Sequence, residues 1–226
     1  MSHIVIVGAG GGLGRSIAAL FGRHDFSVSL IARSQTKLDA LADELAEMGI
    51  EAAGFSADIM DRSTLTLALD RAVDRFGDID VLEYSPAPHS PVPGIMMAAP
   101  LDVTVANMQP QIDFYLHGGI TVAQHVLPSM LERGSGTLLF TTGASSVRPN
   151  ARMGNVGPAA AALRNWVLSL HEALSDTDVY AAHVPLDVWI GSGGPQTQPE
   201  AIAELYWTLY QERAGGERMY IPTADQ

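Results

Sequence analysis

An apolar run that breaks into five glycines within seven residues opens this 226-residue chain: Val5-Ile6-Val7-Gly8-Ala9-Gly10-Gly11-Gly12-Leu13-Gly14. Glycine tolerates positive φ and lets another group come close to the backbone. The first turn of a helix leaves its N–H groups without intrahelical acceptors. Strand, glycine turn and helix in that order therefore make an anion site shaped for a pyrophosphate. That turn is the strongest constraint on the fold, because it demands a βα unit at the very start.

The rest of the chain continues the alternation. Short β-rich runs at His3–Val7, Ser27–Ala32, Glu51–Ser56, Asp80–Tyr84, Gly136–Thr142, Thr177–Val184 and Arg218–Ile221 are separated by stretches of helical periodicity. In Ser34–Met48, for example, Leu38, Leu41, Leu45 and Met48 recur every three or four residues. Right-handed βαβ crossovers then give a doubly wound parallel α/β sheet with helices on both faces, a three-layer αβα domain over residues 1–226. Ligands of such sheets bind beyond the carboxyl ends of the strands, where the strand order reverses. Two irregular segments fall there: Ser85–Pro100, with five prolines, and Gly191–Pro199, each readable as a surface connection or as a substrate lid.

Composition removes several function classes. Although 47% of the residues are apolar, no run reaches the roughly 18–20 apolar residues of a membrane span. The N-terminus lacks the features of a secretory signal, so a cytoplasmic protein is expected. The absence of cysteine excludes disulfides, thiolate nucleophiles and Cys-based zinc sites. Seven scattered histidines show no paired ligand spacing, and no metal site is expected. A net charge of −12 with only 13 Lys and Arg argues against nucleic acid as a partner.

The spacing Gly8-x-x-x-Gly12-x-Gly14 resembles the cofactor turn of the short-chain dehydrogenase/reductase family, which has a Rossmann-like fold. The likeness runs over nearly the whole chain. Asp58 in Ser56-Ala57-Asp58-Ile59 matches the family's adenine-contacting Asp, and Leu127-Pro128-Ser129-Met130 its Leu-Pro-x-Met. Gly136–Phe140 matches strand five, Ala161-Ala162-Leu163 the middle of helix five, and Pro199–Leu209 the late helix. The resemblance implies a dinucleotide held by Gly8, Gly10, Gly11, Gly12, Leu13, Gly14, Arg33, Ser34, Asp58, Ile59, Ser85, Pro185 and Val188. It also implies a small-molecule substrate and a homo-oligomer, dimer or tetramer, with pairing to an active homologue as the variant form.

Physical argument selects the cofactor. An NAD site places a carboxylate at the end of strand two to bind the ribose 2′-hydroxyl, whereas a 2′-phosphate needs a cation there. Leu30-Ile31-Ala32-Arg33-Ser34 offers Arg33 and Ser34, with Lys37 nearby, and points to NADP(H). Ser34 also suits the N-cap of the following helix.

The catalytic half departs from the family pattern. Helix five places Val156 at the family's acid/base Tyr and Ala160 at its Lys, Gly143 at its Ser and Tyr115 at its Asn; the chain's only lysine is Lys37. The signatures after strands four and six are replaced by Tyr84-Ser85-Pro86-Ala87 and Pro185-Leu186-Asp187-Val188. Substitute proton donors at the same strand ends are Tyr115 first, then Ser145 and Tyr84, with His117, Ser146, Asp187 and His89 as further polar groups. The leading reading is an NADP(H)-dependent oxidoreductase of non-standard mechanism acting on an imine, an activated alkene or a carbonyl. The alternatives are a silent dinucleotide sensor or partner subunit, and a redox-neutral cyclase or lyase that reuses the fold.

Overall fold

A computed structural model describes residues 1–87 and 95–222; His89 lies outside the described residues. Six strands form one parallel sheet: β1 (Ser2–Val7), β2 (Phe26–Ala32), β3 (Ala52–Ser56), β4 (Val81–Tyr84), β5 (Gly136–Gly143) and β6 (Val179–Leu186). Their order, β3-β2-β1-β4-β5-β6, reverses between β1 and β4. This is the doubly wound topology expected from the alternation, with its crevice at that reversal. The helices are α1 (Leu13–Gly22), α2 (Gln35–Glu47), α3 (Arg62–Phe76), α4 (Val105–Ile112), α5 (Gly118–Arg133), α6 (Val156–Ala173) and α7 (Pro199–Glu212).

Both faces of the sheet are covered, and β1 shows why its run reads as continuously apolar. Ile4 and Ile6 enter one core with Ile17, Leu38 and Tyr206, while Val5 and Val7 enter the other with Leu65, Val122 and Leu163. Each fully buried aliphatic side chain contributes about 1.5–3 kcal/mol, so both layers are needed to hold a strand of this kind. Asp61 starts α3, its carboxylate accepting from the N–H groups of Ser63 (3.1 Å) and Thr64 (3.3 Å). Thr104 and Asn107 form a reciprocal capping box at α4.

Two departures from the expected elements have identifiable causes. The seventh strand, Arg218–Ile221, is reduced to two parallel bridges on the edge of β6, His183 with Glu217 and Leu186 with Tyr220. The ladder runs from His183 N–H to Gly216 O, then from the Arg218 and Tyr220 N–H groups to His183 O and Pro185 O. It continues from Asp187 N–H to Tyr220 O; the one missing rung, to Arg218 O, needs a donor at residue 185, and Pro185 has none. Between α4 and α5, the helix widens into a π turn over Asp113–His117. Two side chains from outside bind the carbonyls of that turn: the Tyr84 hydroxyl donates to Phe114 O (2.6 Å), and the Arg62 guanidinium donates to Asp113 O.

Candidate dinucleotide site and the polar groups around it

A cleft of about 700 Å³ opens at the carboxyl ends of β1, β2 and β3. Gly8, Gly10 and Gly11 form one wall, Arg33, Ser34 and Lys37 the far end, and Asp58 and Ile59 a side. The floor is apolar, from Ile31, Leu38, Leu41, Ala57 and Phe114. Leu38 and Leu41 were legible as the buried stripe of α2, but their second use as cleft wall was not. Phe114 was missed altogether, since only the π turn directs it here.

The glycine turn has the backbone that an anion requires. Gly8 has φ +101°, and a Cβ on it would meet Ser85 and Pro86 at 2.8 Å, so the turn and the segment after β4 can touch only through glycine. Over Gly10, Gly11 and Gly12 the space is open: a Cβ would find nothing within 4 Å. The N–H groups of Gly8 and Ala9 both donate to Ile31 O, at 2.9 and 3.1 Å, and those of Arg15 and Ser16 return to Gly10 O and Gly12 O. Between them, the N–H groups of Gly10, Gly11, Gly12, Leu13 and Gly14 find no acceptor among the described residues. Five consecutive donors beside an open cleft fit a pyrophosphate.

Charge is distributed to suit a second anion at the opposite end. Arg15 is taken up by Glu44 (2.5 Å) and lies 3.9 Å from Glu200, which offsets the one carboxylate of α2 that reaches the cleft. Arg33 and Lys37 make no ion pair among the described residues. Ser34 is the N-cap of α2, as expected, but its side chain makes no capping hydrogen bond, which leaves its hydroxyl free toward the cleft. One Asp58 oxygen accepts from the Met60 N–H (2.9 Å). Ser85 abuts Gly8 and its N–H donates to Val7 O (2.9 Å). Of the other expected cofactor contacts, Gly12, Leu13, Gly14 and Ser85 lie beside the cleft without lining it, and Pro185 and Val188, at and beyond the end of β6, also lie outside its lining.

The three candidate proton donors fall in different surroundings. Tyr84 is fully buried in the core, its hydroxyl engaged by Phe114 O; burial pushes its ionisation far above the ordinary phenol value. It holds the π turn and has no face toward the cleft, which corrects the expectation of a donor. Tyr115 is half-buried and packs, like Ile59 and Met60, on the cluster of Ile95 and Phe114, and burial raises its phenol to about 12. His117 is exposed and bonded to Asp113 (2.7 Å), so it forms no pair with Tyr115. Ser145 is half-buried in a short 3-10 turn, Ala144–Ser146, at the end of β5, and its hydroxyl has no partner among the described residues.

A buried network that sequence reading did not find supports that turn. Thr142 bonds both Ser146 Oγ (2.8 Å) and His183 Nε2 (2.9 Å); His183 Nδ1 meets Glu217 (2.8 Å), which Arg164 clamps through two bonds of 2.5 and 2.9 Å. Burial holds the His183 imidazole below its usual value of 6.5. Val156 and Ala160 lie in the first turns of α6, and Ala160 is buried. Just before them, Asn155 accepts from Ala98 N–H (2.9 Å) and donates to Met96 O (2.9 Å) and Asn107 O (3.0 Å), pinning the segment after β4 to the start of α6. Asp187 is paired with Arg148 across the ends of β6 and β5.

Among the described residues there is no helix long and apolar enough to cross a membrane and no cluster of three or more candidate metal ligands. Residues 2–186 match the short chain dehydrogenase family. An uncharacterized oxidoreductase of Staphylococcus epidermidis is 27% identical over 176 residues, 77% of this chain and 72% of the relative. A short-chain dehydrogenase from Rhodopseudomonas palustris superposes with a TM-score of 0.84 at 23% identity, covering 98% of this chain and 99% of that one. L-Sorbose reductase from Gluconobacter frateurii, solved with NADPH and L-sorbose, also gives 0.84, at 18% identity over 97% of this chain and 94% of its own. The two structural likenesses concern the fold.

Proposed function

We propose that this chain, which belongs to the short chain dehydrogenase family, is an NADP(H)-dependent oxidoreductase whose proton supply does not use the family's Tyr-x-x-x-Lys pair. The observation that carries the cofactor reading is the pairing of two anion sites at one cleft: the N–H groups from Gly10 to Gly14, without acceptors among the described residues and with Gly10 and Gly11 lining the cleft, at one end, and Arg33 with Ser34 and Lys37 at the other. A dinucleotide with a 2′-phosphate would satisfy both ends. Asp58 would meet its adenine, and Ser85 stands where the glycine turn touches the next strand end. That a reductase of the same fold was solved with NADPH supports the choice.

When bound, such a cofactor supplies a hydride; the chain's own residues must place the substrate and deliver or accept the proton. The residues that remain for this are Ser145 at the end of β5, half-buried with no hydroxyl partner among the described residues, and Tyr115 in the π turn. A phenol raised to about 12 does not ionise near neutrality, so Tyr115 would act as a hydrogen-bond donor and not as a base. Losing a positioned general acid costs roughly 10²–10⁴-fold, which favours an imine or an activated alkene over an unactivated carbonyl as substrate.

Calorimetric titration with NADPH and NADH tests the reading directly. Micromolar NADPH binding is expected, with the Arg33→Ala variant weaker by about 10–100-fold, the worth of a charge-assisted contact, and little change toward NADH. Equal affinity for the two nucleotides in wild type, or an Arg33→Ala variant that binds NADPH normally, would remove the 2′-phosphate assignment; absence of any binding would remove the oxidoreductase.

A further inference from the structure

Directly beneath the junction of the glycine turn and the segment after β4 lies a carboxyl group that the proposed chemistry does not use. Glu83 is the third residue of β4, in register with Ile6 of β1 and Leu139 of β5, and it is completely buried. Its two oxygens are each bonded to a hydroxyl: Ser85 Oγ to Oε2 at 2.8 Å and Thr141 Oγ1 to Oε1 at 2.9 Å. Thr141 in turn bonds the Tyr206 hydroxyl of α7 at 2.7 Å. Tyr206 is the titratable side chain that faces this group from the packed helix, its own ionisation driven well upward by burial and by Glu83; no cation pairs with Glu83 among the described residues. Ser85 is half-buried, its N–H tied to Val7 O, and its backbone lies against Gly8; Pro86 and Ala87 after it line the cleft, and Ser85 stands just behind them at the glycine turn.

Hydroxyl bookkeeping gives this cluster two states. As a carboxylate, Glu83 has only acceptors, so the Ser85 and Thr141 protons both turn inward to it and Ser85 offers lone pairs to whatever lies above. As a neutral acid, Glu83 donates its own proton to Ser85 Oγ, and the Ser85 proton is released to point outward. The neutral state thus adds a donor at the glycine turn, and the charged state removes that donor and adds a negative charge below it. Burial raises the carboxyl to about 8, which keeps it neutral at ordinary pH.

We propose that Glu83 is a positioning residue for the cofactor: protonated, it frees the Ser85 hydroxyl to donate toward the glycine turn that would hold the dinucleotide's pyrophosphate, and ionised, it opposes binding there. The inference rests on the reading of the cleft as a dinucleotide site. Among the described residues, no histidine lines that cleft.

NADPH titrations of wild type, Glu83→Gln and Ser85→Ala at about pH 7 and about pH 9.5 test it, with a melting curve for each protein at each pH. Wild type should lose affinity by about tenfold or more on going to the higher pH. Glu83→Gln, whose amide keeps a donor toward Ser85 and cannot ionise, should bind NADPH with the same affinity at both. Ser85→Ala should bind more weakly than wild type at the lower pH. As a readout that needs neither variant nor ligand, the infrared carbonyl band of a protonated buried acid should be present in wild type at the lower pH and lost at the higher. A wild-type affinity that does not change with pH, an equal loss in Glu83→Gln, or no such band overturns the proposal while leaving the cofactor reading intact. NADPH binding that fails at both pH values overturns the cofactor reading and the proposal with it.

Discussion

Tyr84 and Glu83 are neighbours in one strand, and the sequence misleads about both for the same reason. A tyrosine at the carboxyl end of a strand in this fold is expected near the reacting groups, whereas the strand itself, Val81-Leu82-Glu83-Tyr84, reads simply as apolar. In a parallel strand buried on both faces, period-two alternation carries no information about which side chain meets which layer. The available signal was the lone carboxylate in an apolar run, since a buried acid needs hydrogen-bond partners or a shifted ionisation. Tyr84 takes a structural role, with its hydroxyl donating to Phe114 O. Replacing it by Phe should cost about 1–3 kcal/mol, because the buried carbonyl then keeps no side-chain donor. Urea denaturation of Tyr84→Phe would show this, while NADPH affinity should stay within about twofold of wild type; unchanged stability together with lost turnover would restore Tyr84 to the catalytic candidates. At the same scale, the place of Arg33 and Ser34 in the cleft could be read from the chain, because both follow directly on the end of β2, where ligands of such sheets bind.

At the scale of elements, the glycine turn, the β-α alternation and the sheet that follows from them could be read from the chain, because each depends on local chemistry and periodicity. The π turn and the edge of β6 depend on contacts between distant segments. Nothing local to Asp113–His117 announces that Tyr84 and Arg62 will bind its carbonyls. The terminal segment is a sharper case, since Arg218–Ile221 has strand composition but its partner strand carries a proline at the rung where a donor is required. Pro185→Ala restores that N–H opposite Arg218 O. The added bond gives about 0.5–1.5 kcal/mol, and the freer unfolded chain takes back about 0.4–1 kcal/mol, so global stability should hardly move. Hydrogen exchange should nevertheless slow at the amides of Arg218 and Tyr220, because the bridges join into one ladder. Exchange there as fast as in wild type would mean that the break in the ladder has another cause.

For the whole molecule, buried ionisable groups set a pH profile for stability that opposes the usual one above neutrality. His3 and His183 are both held below 6.5 by burial. Their unfolded forms bind protons first, so stability is lost as pH falls below 6.5 toward the folded values. Glu83 works in the other direction: its folded value is about 8 against an ordinary 4.5, so the folded state keeps a proton that the unfolded chain has released. Its contribution is complete below 4.5 and drains away as pH rises to about 8, by an order of a few kcal/mol. Between 4.5 and 6.5 the two trends oppose each other; above 6.5 only Glu83 acts. Wild type should therefore melt progressively lower from about pH 6.5 up to about pH 8, after which the profile levels. Glu83→Gln should remove the decline on the alkaline side and keep the acid limb, which belongs to the histidines. Thermal melts of both proteins from about pH 5 to about pH 9 give the comparison. A wild-type melting temperature that holds steady through about pH 8, or a Glu83→Gln variant that declines in parallel with it, would show that the buried carboxyl is already charged at neutral pH. Both the alkaline limb and the donor role given to Ser85 would then be lost, because each depends on the same proton.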